Sequence, residues 1–315
     1  MRIVATAPVP AAADRAFADL GTIDVATDDR SLRAAEVLLV RGTRVSSTTI
    51  ESARALRVIA RTGAGYDGVD VAAATRRGIP ILYAPGAGTV PLAEGTFALI
   101  LAATKRLNEL AAVVRTGAWD ARYAIETVDL RGATLGIVGL GSIGREVARL
   151  ARAFGMAVIA HDPHVTGAVR HAELVSLSEL VARADVISMH CALTESTRGL
   201  VDRELLRATK PGAILVNVAR GGIIESETLL LEALEQGWLS AVALDVYADE
   251  PPDPAHPLFS HPRVVGTPHC VGLSAQWNAS VFGVLAHGVA QVLRGDRPSN
   301  VVNPEALERA SAATA

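Results

Sequence analysis

A chain of 315 residues exceeds one ordinary domain of roughly 100–200 residues, so two domains are expected. Half of the residues are hydrophobic, 20% are charged and 4% are aromatic, which suits an α/β protein whose strands are buried on both faces and argues against disorder. A net charge of −3 and a pI near 6.3 supply no basic surface, so nucleic acid and anionic membrane surfaces are not expected partners.

The first segment, Ile3 to Ala13, is apolar with small residues, but Pro8 and Pro10 break any signal-peptide core, and a strand followed by a turn is the simpler reading. Candidate strands follow at Ile3–Thr6, Val37–Val40, Val58–Arg61 and Pro80–Tyr83. Helical patterns fall between them near Ala12–Leu20, Ser47–Ala55 and Val71–Gly78. Alternation of this kind is the mark of βαβ units and a parallel sheet. Glu94 to Val114 reads as one long helix, and Gly117 to Arg131 as a connector. A second series of six strands then runs through Thr134–Gly139, Ala157–His161, Asp185–His190, Ala213–Asn217, Ala241–Asp245 and Arg263–Val265, as in the doubly wound dinucleotide fold. Val264 to Leu293 carries no Asp, Glu, Lys or Arg, but Pro268, His269, Gln276, Asn278, His287 and Gln291 argue against a membrane span. Gly272 to Gly295 is helical in pattern, and Glu305–Ala315 reads as a frayed end. Cys191 and Cys270 are too few for a disulfide framework and sit in no metal-ligand spacing, so no metal is expected and the compartment is reducing, hence cytoplasmic.

The spacing Gly-x-Gly-x-x-Gly occurs twice, at Gly139-Leu-Gly141-Ser142-Ile143-Gly144 and at Gly63-Ala64-Gly65-Tyr-Asp-Gly68. A dinucleotide loop needs a strand leading in, a helix whose N-terminal amides face the pyrophosphate, and an acid about 20 residues on to accept the ribose hydroxyls. The first copy has all three, with Asp162 standing 23 positions after Gly139, at the end of the next strand. Asp162 would repel a 2′-phosphate, so NAD is favoured over NADP. The second copy is crowded by Asp67 and Asp70 and has no acid after the next strand. It is either a plain turn or a nest of backbone amides at Ala64 and Gly65 able to cradle a small carboxylate.

In open parallel sheets ligands sit beyond the carboxyl ends of the strands. Three such ends offer Arg220, Asp245 with Glu250, and His269. A histidine suits removal of a hydroxyl proton near neutral pH, a carboxylate can orient its ring, and an arginine can clamp a 2-oxo carboxylate with two parallel hydrogen bonds. Taken singly, each also has a plain structural reading as an ion-pair, turn or loop residue.

Together with Arg61-Thr-Gly-Ala-Gly-Tyr-Asp-Gly-Val-Asp70, Ala93-Glu94, Lys210-Pro-Gly-Ala-Ile-Leu-Val-Asn-Val-Ala-Arg-Gly221, Glu250-Pro251 and Thr267-Pro268-His269, these motifs make the chain resemble the D-isomer-specific 2-hydroxyacid dehydrogenase family along nearly its whole length. The resemblance implies two doubly wound parallel-sheet domains, a Rossmann cofactor domain (99–271) inserted into a flavodoxin-like substrate domain (1–98 with 272–315), and a homodimer formed through the cofactor domain. It implies His269 as acid/base, Glu250 as its partner, Arg220 as substrate clamp, and Ala64 and Gly65 as amides for the substrate carboxylate. Its cofactor contacts fall on Gly139, Gly141, Ser142, Ile143, Gly144, Asp162, Val218 and Asp245, with Thr194 and Thr197 in the nicotinamide-side loop. The implied reaction is hydride transfer between NAD(H) and a small D-2-hydroxy acid of the glyoxylate or hydroxypyruvate type. A 3-phosphoglycerate dehydrogenase is the alternative, since Arg61 and Arg76 resemble positions that serve such enzymes. An NAD-sensing corepressor of the same fold is the reading from another class. Four features depart from the family pattern: Tyr83 where Asn is frequent, Gly95 where a bulkier residue is common, Cys270-Val271 where Ile and a small residue are common, and Ser274-Ala-Gln-Trp277. Tyr83 and Trp277 are expected near the pocket.

Overall fold

The computed structural model of the protein describes residues 1–63 and 65–312, the last four of these by backbone alone. The chain divides into two compact units, Met1–Gly88 with Leu273–Ala315 (unit 1) and Thr89–Gly272 (unit 2). The 98/99 boundary expected from the sequence falls inside a continuous helix, Thr89–Thr104, which belongs to unit 2.

In unit 1, β1 (Ile3–Ala5), β2 (Ile23–Val25), β3 (Val37–Val40), β4 (Val58–Arg61) and β5 (Ile81–Leu82) form a parallel sheet in the order β2-β1-β3-β4-β5. This is the flavodoxin-like order. Helices Ala11–Phe17 and Ala275–Arg294 cover one face with Phe17, Phe282 and Leu285, and Ser47–Ser52 and Val71–Arg76 cover the other with Ile50, Ala73 and Ala74. Both faces are therefore dry, and each fully buried Leu, Ile or Phe contributes roughly 1.5–3 kcal/mol. β2 escaped the sequence reading because it is a three-residue edge strand with Asp24 and Val25 exposed, so it lacks the buried apolar run of its neighbours. The helix Ala275–Arg294 is capped by Ser274 and ended by left-handed Gly295. Glu305–Ala312 is helical rather than frayed.

Unit 2 holds β6 (Thr134–Val138), β7 (Ala157–His161), β8 (Glu173–Leu174), β9 (Val186–Met189), β10 (Ala213–Asn217), β11 (Leu239–Leu244) and β12 (Val264–Gly266). All pair in parallel, in the order β12-β11-β10-β9-β6-β7-β8. The order reverses between β6 and β9, and that switch point is where doubly wound sheets bind dinucleotides. Seven strands replace the six expected, because the two-residue edge strand β8 is too short to carry a period. The long helix expected over Glu94 to Val114 is two helices, Thr89–Thr104 and Leu107–Thr116. They part at Arg106, which is left-handed (φ 50°) and bonds Glu109 and the Glu126 carbonyl. No helix among the described residues is long and apolar enough to cross a membrane.

Candidate active site

Each glycine of the loop after β6 has its own reason. Gly139 is left-handed at φ 96°, and a Cβ there would lie 2.4 Å from the Cys191 amide nitrogen. A Cβ on Gly144 would lie 2.2 Å from the Gly139 carbonyl oxygen, so only glycine lets the helix Ser142–Ala153 sit this close to β6. Gly141 differs: a Cβ there meets nothing within 4 Å, and no side chain caps the helix it begins. The N-terminal amides at Ser142 and Ile143 thus face open space that suits a pyrophosphate. Gly141→Ala is therefore expected to leave the melting temperature nearly unchanged while weakening NADH binding about tenfold or more, roughly 1.4 kcal/mol. Gly144→Ala is expected to lower both. Fluorescence titration and thermal melts separate the two, and wild-type NADH affinity in Gly141→Ala would contradict the assignment.

Asp162, directly after β7, accepts from the Leu140 amide at 2.7 Å and the His164 amide at 2.9 Å. Burial pushes its carboxyl up, but these donors, with the charges of His164 and His161, hold it below the usual carboxylate range. It stays ionised and is tied to the glycine loop itself. After β9, His190 Nε2 meets Ser188 Oγ at 2.8 Å, and burial lowers its pKa to about 4. Thr194 and Thr197 satisfy each other in one exposed turn: Thr197 Oγ1 accepts from the Thr194 amide (2.7 Å) and donates to the Ala192 carbonyl (2.6 Å).

The loop after β10 carries Val218 and Arg220. It is braced by Asn217, a fully buried strand residue given no role in the sequence reading, whose Nδ2 donates to the Arg220 carbonyl (2.9 Å) and whose Oδ1 accepts from the Ala219 amide (3.0 Å). The polar residue ending an apolar run was the available signal. Arg220 Nη1 donates to the Ala219 carbonyl at 2.7 Å. Gly221 passes so close to Tyr247 that a Cβ would fall 1.9 Å from its carbonyl carbon.

At the ends of β11 and β12 the acid/base candidates meet. His269 Nδ1 lies 2.8 Å from Glu250 Oε2, with the two side chains 42% and 33% exposed, so the pair is reachable. Glu250 Oε1 accepts from the Tyr247 amide at 3.2 Å. Burial raises the Glu250 carboxyl, but the hydrogen bond and charge of His269, the Tyr247 amide and the Arg220 charge bring it below the ordinary value. His269 is left-handed (φ 52°), which is uncommon for a residue other than glycine. What holds it there is Asp245, 1% exposed, whose Oδ1 accepts from Thr267 Oγ1 (2.7 Å), the Cys270 amide (2.8 Å) and the Val271 amide (3.3 Å). Burial raises the Asp245 carboxyl above its ordinary range.

In unit 1, Gly65 lies in the loop after β4, anchored by Gly63, whose carbonyl accepts from the Ala84 amide at 2.9 Å; Ala64 lies outside the described residues. Tyr66 and Tyr83 meet edge to face at 6.0 Å. Trp277 is buried in the unit 1 core, and Arg76 sits in a solvent-exposed pair with Glu51.

Residues 97–271 match the profile of the D-isomer specific 2-hydroxyacid dehydrogenase NAD-binding domain. The chain is 40% identical over 314 residues to the D-3-phosphoglycerate dehydrogenase of Methanocaldococcus jannaschii, covering 96% of this chain and 59% of that one. It is 34% identical to the glyoxylate reductase of Thermofilum pendens, covering 89% and 84% respectively. The crystal structure of the TT0316 protein from Thermus thermophilus superposes with a TM-score of 0.88 at 36% identity, over 96% of this chain and 100% of that one. The chain belongs to the D-isomer-specific 2-hydroxyacid dehydrogenase family. It spans 51–59% of the length of the phosphoglycerate dehydrogenases it matches. Within the family's NAD-binding domain, the open face at Gly141, the uncapped helix start and the ionised Asp162 are features that fit the cofactor.

Proposed function

We propose that the chain catalyses reversible hydride transfer between NAD(H) and a small D-2-hydroxy acid, with glyoxylate or hydroxypyruvate on the oxo side. NAD, when bound, supplies or accepts the hydride. The observation that carries the reading is the His269–Glu250 contact of 2.8 Å. With Nδ1–H donated to Glu250, Nε2 is left to give a proton to the carbonyl oxygen during reduction and to take it back during oxidation. Arg220 holds the substrate carboxylate and polarises the reacting oxygen. Gly139, Gly141, Ser142, Ile143, Gly144 and Asp162 hold the pyrophosphate and ribose, with Thr194, Thr197, Val218 and Asp245 toward the nicotinamide. The ionised Asp162 favours NAD over NADP.

A phosphorylated substrate of the 3-phosphoglycerate type is favoured by one observation in unit 1. Arg41, directly after β3, has a buried Nη1 without a hydrogen-bond partner among the described residues, and its guanidinium lies 5.8 Å from the Phe282 ring centroid. A buried cationic donor in this state favours an anionic ligand. NADH oxidation with glyoxylate, hydroxypyruvate and 3-phosphohydroxypyruvate tests both readings. Preference for the phosphorylated acid, lost in Arg41→Met, would replace the first reading with the second. No oxidation with any of them would remove the enzyme reading and leave the NAD-sensing corepressor.

We assign a homodimer, because Leu107, Val114, Trp119, Tyr123 and Val128 stand exposed along one stretch of unit 2, Tyr123 at 77%. A monomer in sedimentation would contradict this. The free thiols of Cys191 and Cys270 fit the cytoplasm, and recovery from an extracellular fraction would contradict that.

A further inference from the structure

The helix Thr89–Thr104 lies against the loop that follows His269, with almost no room between them. Gly95 is buried, and a Cβ there would fall 2.4 Å from the Val271 carbonyl oxygen, 2.7 Å from Val271 Cβ and 2.8 Å from its carbonyl carbon. Two of these three atoms are backbone, so no side-chain rotation relieves the contact. The neighbouring close approach at Gly272 is of another kind, since its nearest atom is the far end of the flexible Leu92 side chain at 2.9 Å. The amides of Cys270 and Val271 are in turn held by the Asp245 carboxylate. The backbone next to His269 is thus clamped between a carboxylate and a helix. With no side chain at Gly95, Val271 comes into direct contact with the helix. Volume missing from the helix is supplied by the loop.

We propose that Gly95 and Val271 form one packing unit that sets the position of His269 against Glu250, making Gly95 a positioning residue for proton transfer. The proposal rests on the dehydrogenase reading. A methyl group at position 95 must displace the Val271 backbone by on the order of 1 Å, and a misplacement of that size can cost roughly 100-fold in rate. In Gly95→Ala, kcat with NADH and a 2-oxo acid is expected to fall about 10- to 100-fold. NADH affinity should fall far less than kcat, by less than about tenfold, because among the described residues the Gly139 loop and Asp162 make no hydrogen bond to Gly95 or Val271 and only Asp245 is bonded to the displaced backbone. The imidazole ¹⁵N resonances of His269 are expected to shift. Adding Val271→Gly, which removes one clash and loosens the loop, is expected to recover about tenfold of the lost kcat. Gly283→Ala, on a helix of unit 1 where a Cβ meets nothing within 4 Å, serves as the control and should keep full activity. Wild-type kcat with unmoved resonances in Gly95→Ala, or a double variant no better than the single one, overturns the proposal. If Gly95→Ala does not fold, Val271→Gly alone must move the His269 resonances, and unmoved resonances overturn it. If wild type turns over no 2-oxo acid, the dehydrogenase reading fails, while the resonances still decide whether Gly95 and His269 are coupled.

Discussion

Replacing His269 is expected to lower kcat by about 10²–10⁴-fold, the range that a single general acid/base contributes, while NADH affinity stays at the wild-type level. The choice of variant matters because His269 is left-handed. Asparagine tolerates that conformation better than alanine, so His269→Asn isolates the missing proton carrier from backbone relaxation of the 267–271 loop. Glu250→Gln removes the charge and keeps only one of the two acceptor oxygens, so either the His269 Nδ1–H or the Tyr247 amide loses its partner. In wild type the Glu250 carboxyl lies below its ordinary value, with burial opposing and the His269 contact favouring the charged form. A depressed folded value means that the stabilisation by Glu250 is fully present above about pH 4.3 and is lost as pH falls through the lower folded value. Glu250→Gln should lack this acid-side step in melting temperature. Unchanged turnover in His269→Asn would sink the assigned acid/base, and an identical acid profile in Glu250→Gln would show that the pair carries no linkage.

The second large effect is expected at Arg220. Two charge-assisted hydrogen bonds to a carboxylate and a carbonyl oxygen are worth roughly 1.5–3 kcal/mol each, so Arg220→Leu should reduce kcat/KM about 10²–10⁴-fold at 1.36 kcal/mol per tenfold. Arg220→Lys keeps the charge and loses the planar fork, so it should recover only part of that loss. Melting temperatures should hold in both, because Asn217 braces the loop through the Arg220 backbone and not its side chain. A rise in KM for NADH instead of the 2-oxo acid would move Arg220 from the substrate to the cofactor.

Much of the arrangement was legible in the residues. Central strands of both sheets read as short apolar runs because both faces are covered, and the Gly139 loop was separable from its near-copy at Gly63 by the strand, helix and acid around it. Edges were not legible: β2 and β8 have exposed residues and too few positions to show a period. The break at Arg106 was hidden as well, since no glycine or proline marks it and the left-handed turn accompanies side-chain bonds to Glu109 and a distant carbonyl. Asp245 shows the limit of motif reading most clearly. Its position after a strand suggested a ligand contact, and its further hydrogen bonds to Thr267, Cys270 and Val271 need β12 placed beside β11 before they can be seen.

Arg220, Glu250 and His269 all issue from three adjacent strand ends of one unit, β10, β11 and β12, whereas Arg41, Tyr66 and Tyr83 belong to the other. The three groups proposed for proton transfer and substrate clamping therefore come from one contiguous stretch, residues 220–269, within a single unit.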